Sequence, residues 1–91
     1  MNNDKFYTYI LISKDRRHTY TGSTSKDPET RLCEHNSGKV KSSKCYVPYE
    51  ILNVEEFNSL VESRRKEHYY KTTSGRRKIK ELIQGEPAKF L

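Results

Sequence analysis

Phe6-Tyr7-Thr8-Tyr9-Ile10-Leu11-Ile12-Ser13, then Lys14-Asp15-Arg16-Arg17, then His18-Thr19-Tyr20-Thr21-Gly22-Ser23: this stretch decides the fold. Its first eight residues are aromatic and β-branched, the composition of a strand. Strand alternation puts Tyr7, Tyr9 and Leu11 on one face and Phe6, Thr8, Ile10 and Ile12 on the other. The polar quartet that follows is a turn, and His18–Ser23 pairs back as the second strand of a hairpin. Glycine packs poorly inside a strand, so Gly22 marks a strand end or a close backbone approach.

Beyond the hairpin, Asp27-Pro28-Glu29 starts a helix. Asp27 caps it, Pro28 suits the first helical position, and Glu29 favours the positive end of the helix. This helix runs from about Pro28 to Asn36, and Gly38 supplies a left-handed stop. Residues 39–48 form a basic loop. Tyr49–Phe57 reads as a third strand. Ser59 and Glu62 fit a capping box for a second helix that reaches about Lys71. Thr72-Thr73-Ser74-Gly75 breaks it, and a last helix covers Arg76 to Gln84 with Ile79, Leu82 and Ile83 as its apolar stripe. Gly85, Glu86 and Pro87 close that helix, and the tail over residues 85–91 is expected to be loose. The order β-β-α-β-α-α implies an α+β fold: a small three-stranded antiparallel sheet that helices must cover.

The chain has 91 residues, which makes residues 1–91 a single domain with its core at about 6–83. Hydrophobic residues are 32% and charged residues 33%, so a compact core sits under a very polar surface. Ten aromatics argue against disorder. The net charge of +6 favours polyanions as partners. Cys33 and Cys45 form no CxxC pair, which argues against a zinc site and for free thiols in a reducing cytoplasm. Met1–Lys5 lacks an apolar signal core, and no apolar run approaches the roughly 20 residues needed to span a bilayer.

Several residues can carry chemistry. Tyr9 and Tyr20 lie on neighbouring strands, although a tyrosine there also serves plain sheet packing. Arg31 and His35 share one helix face through their i, i+4 spacing, as would two residues of an ordinary exposed face. Arginine offers planar donors that match phosphate oxygens, and histidine moves a proton near neutral pH. Glu67 sits mid-helix, where it can hold a hard cation or simply pair with Lys71 four residues on. Residues 62–80 hold eight Lys or Arg against two Glu, a composition suited to backbone phosphates. Of Tyr69 and Tyr70, one belongs to the core. His18 and His68 read as structural or surface residues.

It is the order of these residues that is specific. Tyr7-Thr8-Tyr9, Tyr20-Thr21-Gly22-Ser23, Arg31-xxx-His35-Asn36 and a helical Glu67 together resemble the GIY-YIG nuclease superfamily, in particular its small single-domain bacterial members. Ser37-Gly38-Lys39, Pro48-Tyr49-Glu50 and Gly75-Arg76-xx-Ile79-Lys80-xx-Ile83 extend the resemblance over residues 6–83. The triplets are Tyr-Thr-Tyr and Tyr-Thr-Gly here, where the family name has Gly-Ile-Tyr and Tyr-Ile-Gly.

The resemblance implies a three-stranded antiparallel sheet flanked by helices and a Mg²⁺- or Mn²⁺-dependent endonuclease acting on DNA, in repair or recombination. Glu67 would hold the metal, and Tyr9 or Tyr20 would help deprotonate or position the attacking water. Arg31 would stabilise charge on the phosphate, and His35 would orient groups or relay protons. Lys39, Lys41, Lys44, Lys71, Arg76 and Arg77 are the expected nucleic-acid contacts. A cytoplasmic monomer is the simplest form of such a protein. The alternative is a nucleic-acid-binding module of the same fold that has lost turnover.

Overall fold

The computed structural model describes residues 5–88, with side chains described through residue 85. Three strands, β1 (Phe6–Ser13), β2 (Thr19–Thr24) and β3 (Tyr49–Phe57), form one antiparallel sheet in the order β2-β1-β3. The apolar hairpin strand β1 is therefore central, and its last six residues are all buried.

The alternation along β1 builds two small cores, one on each face of the sheet. Tyr9 and Leu11 pack with Tyr49, Tyr20 and Leu32, so α1 (Pro28–Asn36) covers this face. Ile10 packs with Tyr70, Ile79, Leu82 and Ile83, so α2 (Leu60–Tyr70) and α3 (Thr73–Ala88) cover the other. Thr8, also on the second face, donates its hydroxyl to the Ser63 carbonyl of α2 at 2.6 Å. The β1–β3 register slips between Ile10 and Leu11, a bulge that points Ile51 and Leu52 into different cores.

The expected cap residues are in place, although among the described residues only the Ser59 half of the capping box forms. Asp27 accepts from the Glu29 amide and Ser59 from the Glu62 amide. At the end of α1, the amides of Gly38 and Lys39 bond the carbonyls of His35 and Glu34, the double bond of a Schellman stop. Asn36 then ties α1 to β3. Its side chain accepts from the Tyr49 amide at 2.7 Å and donates to the Tyr49 carbonyl at 3.1 Å.

The last helix departs from expectation at both ends. The break between α2 and α3 is real but shorter, at Lys71-Thr72: Thr72 Oγ1 accepts from the Gly75 amide, and α3 already begins at Thr73. Gly75 is required by proximity, since a Cβ there would sit 1.9 Å from the Tyr69 carbonyl oxygen. At the far end, α3 continues through Gly85-Glu86-Pro87 to Ala88. A Cβ at Gly85 would meet open space, so no packing contact enforces a stop there. Residues 85–88 are therefore helical, and 89–91 of the expected loose tail lie outside the described residues. No helix among the described residues is long and apolar enough to cross a membrane.

Candidate active site

The site is organised around one hydroxyl. The Tyr9 side chain is buried, with its ring lying over the backbone of Gly22 on β2. A Cβ at position 22 would stand 2.6 Å from the Tyr9 oxygen and 2.8 Å from Cζ. Gly22 is thus the close approach that its place in a strand suggested. Two residues of α1 reach the same oxygen. The Arg31 Nε–H donates to it at 3.3 Å, and His35 Nε2 lies 3.0 Å away. The i, i+4 spacing has brought both side chains to a single atom rather than to an exposed face, and His35 is fully buried.

Each of these groups is held from behind. His35 Nδ1 lies 2.6 Å from Ser43 Oγ, whose hydroxyl donates to the Val40 carbonyl at 3.4 Å. A Ser43 hydroxyl that donates to Val40 accepts from Nδ1, and in that tautomer Nε2 is left to accept from the Tyr9 hydroxyl. Arg31 Nη1 is paired with Glu34 at 2.7 Å, and Lys26 also reaches Glu34 at 2.6 Å. The hydrogen bonds from Lys26 and Arg31 hold the Glu34 carboxyl at about 2.

Burial sets the titration of the central pair. It pushes the Tyr9 phenol up, against a smaller opposing pull from the Arg31 hydrogen bond. It pushes the His35 imidazole down, aided by the positive charge of Arg31. At neutral pH the pair is therefore a protonated phenol beside a neutral imidazole.

Tyr9 and Arg31 share an open hollow of about 460 Å³ with Tyr20, Gly22, Ser23, the α2 residues Arg64, Glu67 and His68, and Lys71 at the α2 C-cap. Glu67 crosses to the β2 edge, where Ser23 Oγ donates to Oε1 at 2.8 Å, while Lys71 Nζ pairs with Oε2 at 3.1 Å. The pairing of Glu67 with Lys71 is present, and the same carboxylate lines the hollow that holds both tyrosines. The Tyr20 ring lies 6.4 Å from that of Tyr9 and 4.7 Å from that of His35. Arg31, Arg64 and Lys71 outnumber the single carboxylate, so the hollow favours an anion.

Of the five residues singled out for chemistry, Tyr9, Tyr20, Arg31 and Glu67 line the hollow, and His35 stands behind Tyr9. Among the expected nucleic-acid contacts, Lys71 lines it too. Arg76 and Arg77 line neighbouring hollows, while Lys39, Lys41 and Lys44 are exposed on the loop after α1 and line none of these three. His68, read as a structural or surface residue, belongs to the wall. His18 is structural, stacked on Tyr46 at 3.6 Å. Arg64 was legible in helical spacing, lying three residues before Glu67, and His68 follows four residues after Arg64. Glu34, three residues after Arg31, was legible in the same way. Ser23 and Ser43 carried no such signal.

The family described as the GIY-YIG catalytic domain matches residues 5–80. The chain belongs to this family. GIY-YIG membership makes it a nuclease-type domain that engages nucleic acid. A UPF0213 protein of Staphylococcus saprophyticus is 36% identical over 83 residues, covering 90% of this chain and 99% of the relative. A UPF0213 protein of Natronomonas pharaonis is 33% identical over 81 residues, covering 88% and 92%. The solution NMR structure of a UPF0213 protein from Bacillus halodurans is 36% identical in sequence. It superposes with a TM-score of 0.51, covering 88% of this chain and 83% of that one. The GIY-YIG match spans every strand and helix that contributes to the hollow, from β1 through the start of α3.

Proposed function

We propose that this GIY-YIG domain is a metal-dependent endonuclease that hydrolyses DNA phosphodiester bonds in the hollow between Tyr9, Arg31 and Glu67. One observation carries the proposal: the Tyr9 hydroxyl is fixed by a proton acceptor and a guanidinium at one wall, with a lone carboxylate at the other.

The residues present fit a hard divalent cation. Among the described residues no group of three His, Cys, Asp or Glu could form an all-protein metal cage. Glu67 alone faces the hollow, the donor set of a Mg²⁺ or Mn²⁺ that takes its other ligands from water and substrate phosphate. Each carboxylate oxygen has lone pairs beyond those used by Ser23 and Lys71. When bound, such an ion supplies Lewis-acid charge at the phosphate.

The protein's own groups then have defined tasks. Because the Tyr9 phenol is protonated, its oxygen can take a proton from an attacking water only as its own proton passes to His35 Nε2. With His35 neutral and in the tautomer that accepts at Nε2, one proton moves in and one moves out. Tyr20 has no such acceptor among the described residues, which makes Tyr9 the residue for this transfer. Arg31 has Nη2 left to meet charge on the non-bridging oxygens while Glu34 and Tyr9 hold the rest of the guanidinium.

The second reading, a binding module without turnover, is favoured by the state of Glu67, both of whose oxygens are already engaged. A cleavage screen decides between the two. Linear, nicked and branched DNA are incubated with Mg²⁺ or Mn²⁺ at low salt. The proposal expects cutting of at least one form, abolished by Glu67→Ala and by Arg31→Ala in proteins whose circular dichroism is unchanged. Salt-sensitive binding with no cutting of any form refutes it.

A further inference from the structure

The catalytic hollow does not end at its own walls. Tyr20 and Lys71 also line a second hollow of about 440 Å³ along the outer edge of β2, which reaches Thr19, Ser42 and Arg76. Arg76 is shared in turn with a third hollow of about 300 Å³ formed by Thr73, Arg77 and Lys80 at the start of α3. The three are therefore contiguous, and the last two have no acidic residue in their lining.

Helix geometry explains the far end. Positions 73, 76, 77 and 80 follow i, i+3, i+4, i+7 spacing and share one face of α3. Ile79, Leu82 and Ile83 turn the adjoining face into the core, with Ile79 in the wall of the second hollow beside Arg76. The packing of the helix onto the sheet thus holds a row of cations outward, in line with the β2 edge. Among the described residues, Arg76, Arg77 and Lys80 form no ion pair.

We infer that this path is a phosphate track: the DNA strand flanking the scissile bond leaves the catalytic hollow past Lys71, follows the outer edge of β2, and is gripped by Arg76, Arg77 and Lys80 on α3. The inference rests on the nuclease reading for its polyanion. Backbone phosphates are the occupant that fits a run of cations with neither a deep apolar pocket nor acidic partners. The track gives the enzyme a grip on its substrate along one side, touching the Lys39–Lys44 loop only at Ser42, while Lys39, Lys41 and Lys44 line none of its three hollows.

The test compares equal charge changes on one helix. Arg76→Glu, Arg77→Glu and Lys80→Glu alter the track. Lys78→Glu is equally exposed but lies roughly 140° round the helix from that face, at 3.6 residues per turn. Binding of a fluorescent duplex is measured by anisotropy with Ca²⁺ in place of Mg²⁺, over a salt series. Each track variant should bind several-fold more weakly than the Lys78→Glu control, and the slope of log K against log salt should fall by about 0.9 for each phosphate no longer neutralised. Equal weakening in all four variants, or none in any, overturns the track. Because binding is read without turnover, a wild type that binds along the track yet never cuts would sink the hydrolase proposal and leave the track standing. Cutting by a protein whose track variants all bind normally would do the reverse.

Discussion

Replacing His35 by Phe tests the hydrogen-bond chain behind Tyr9. The ring stays aromatic and similar in size, but both nitrogens are removed. The Tyr9 hydroxyl loses its acceptor and Ser43 Oγ loses its donor, each in a fully or almost fully buried position. Two buried hydrogen bonds at about 1 kcal/mol each give a destabilisation of about 2 kcal/mol. A chain of this length has a total stability of about 5–14 kcal/mol, so the change is readily measured in a urea melt.

The same variant has a pH signature. The folded-state pKa of His35 lies below its unfolded value of about 6.5, so between the two the unfolded chain binds the extra proton. Wild-type stability is therefore full above about pH 6.5 and falls as pH drops through the window beneath it, at no more than about 1.4 kcal/mol per pH unit. His35→Phe should lack that slope. The acid destabilisation tied to Glu34 belongs to a separate window, between its ordinary value near 4.5 and about 2, and should survive in the variant. Urea melts of both proteins at closely spaced pH values between 2 and 8 check both windows. Equal stability at pH 8, or the same slope in both proteins below pH 6.5, would refute the buried neutral imidazole.

Three further outcomes follow from individual side chains. Gly22→Ala drives a methyl into a Tyr9 hydroxyl that His35 and Arg31 already hold. It should cost about 1–3 kcal/mol in thermal or urea unfolding and depress any cleavage further than Tyr20→Phe does. Lys71→Met removes the cation from Glu67 Oε2, so Mn²⁺ binding followed by electron paramagnetic resonance should tighten while DNA affinity falls. Asn36→Ala leaves the Tyr49 amide and carbonyl without their side-chain partner where α1 meets β3, and should lower stability by about 1–3 kcal/mol in a urea melt.

The fold was legible wherever local chemistry and tertiary packing agree. β1 alternates cleanly because both of its faces are buried, and Asp27-Pro28 and Ser59 cap helices that lie where they predict. Legibility failed where a tertiary contact outweighs composition. Thr72-Thr73-Ser74-Gly75 has the composition of a break, but Thr72 caps α3 and Gly75 lets α3 press on the backbone of Tyr69 and Tyr70. The bulge between Ile51 and Asn53 left no mark in the strand pattern, since the residues on either side are ordinary strand formers.

In the site, Tyr9, Tyr20, Arg31, His35 and Glu67 could be named from their order along the chain. Their division of labour could not. Only distances separate Tyr9, whose oxygen has a proton acceptor, from Tyr20, whose ring merely packs beside it. Ser43 was invisible because a serine in a loop has no spacing that announces its partner, and Ser23 stood in the Tyr20–Ser23 motif with nothing to show that it bonds Glu67. The cations of the track were visible as composition, but their alignment with the β2 edge depends on how α3 packs.

The central claim is that the hollow containing Tyr9, Arg31 and Glu67 cuts DNA. Single-turnover cleavage of an end-labelled DNA tests it most directly, comparing wild type, Tyr9→Phe and Glu67→Gln in Mg²⁺, with binding of all three measured in Ca²⁺. The account predicts cutting by wild type and at least a hundredfold slower cutting by both variants, an effect of the size that removal of a general base produces, with binding retained. Cutting by Glu67→Gln at the wild-type rate, or a wild type that binds this DNA and leaves it intact, would contradict it.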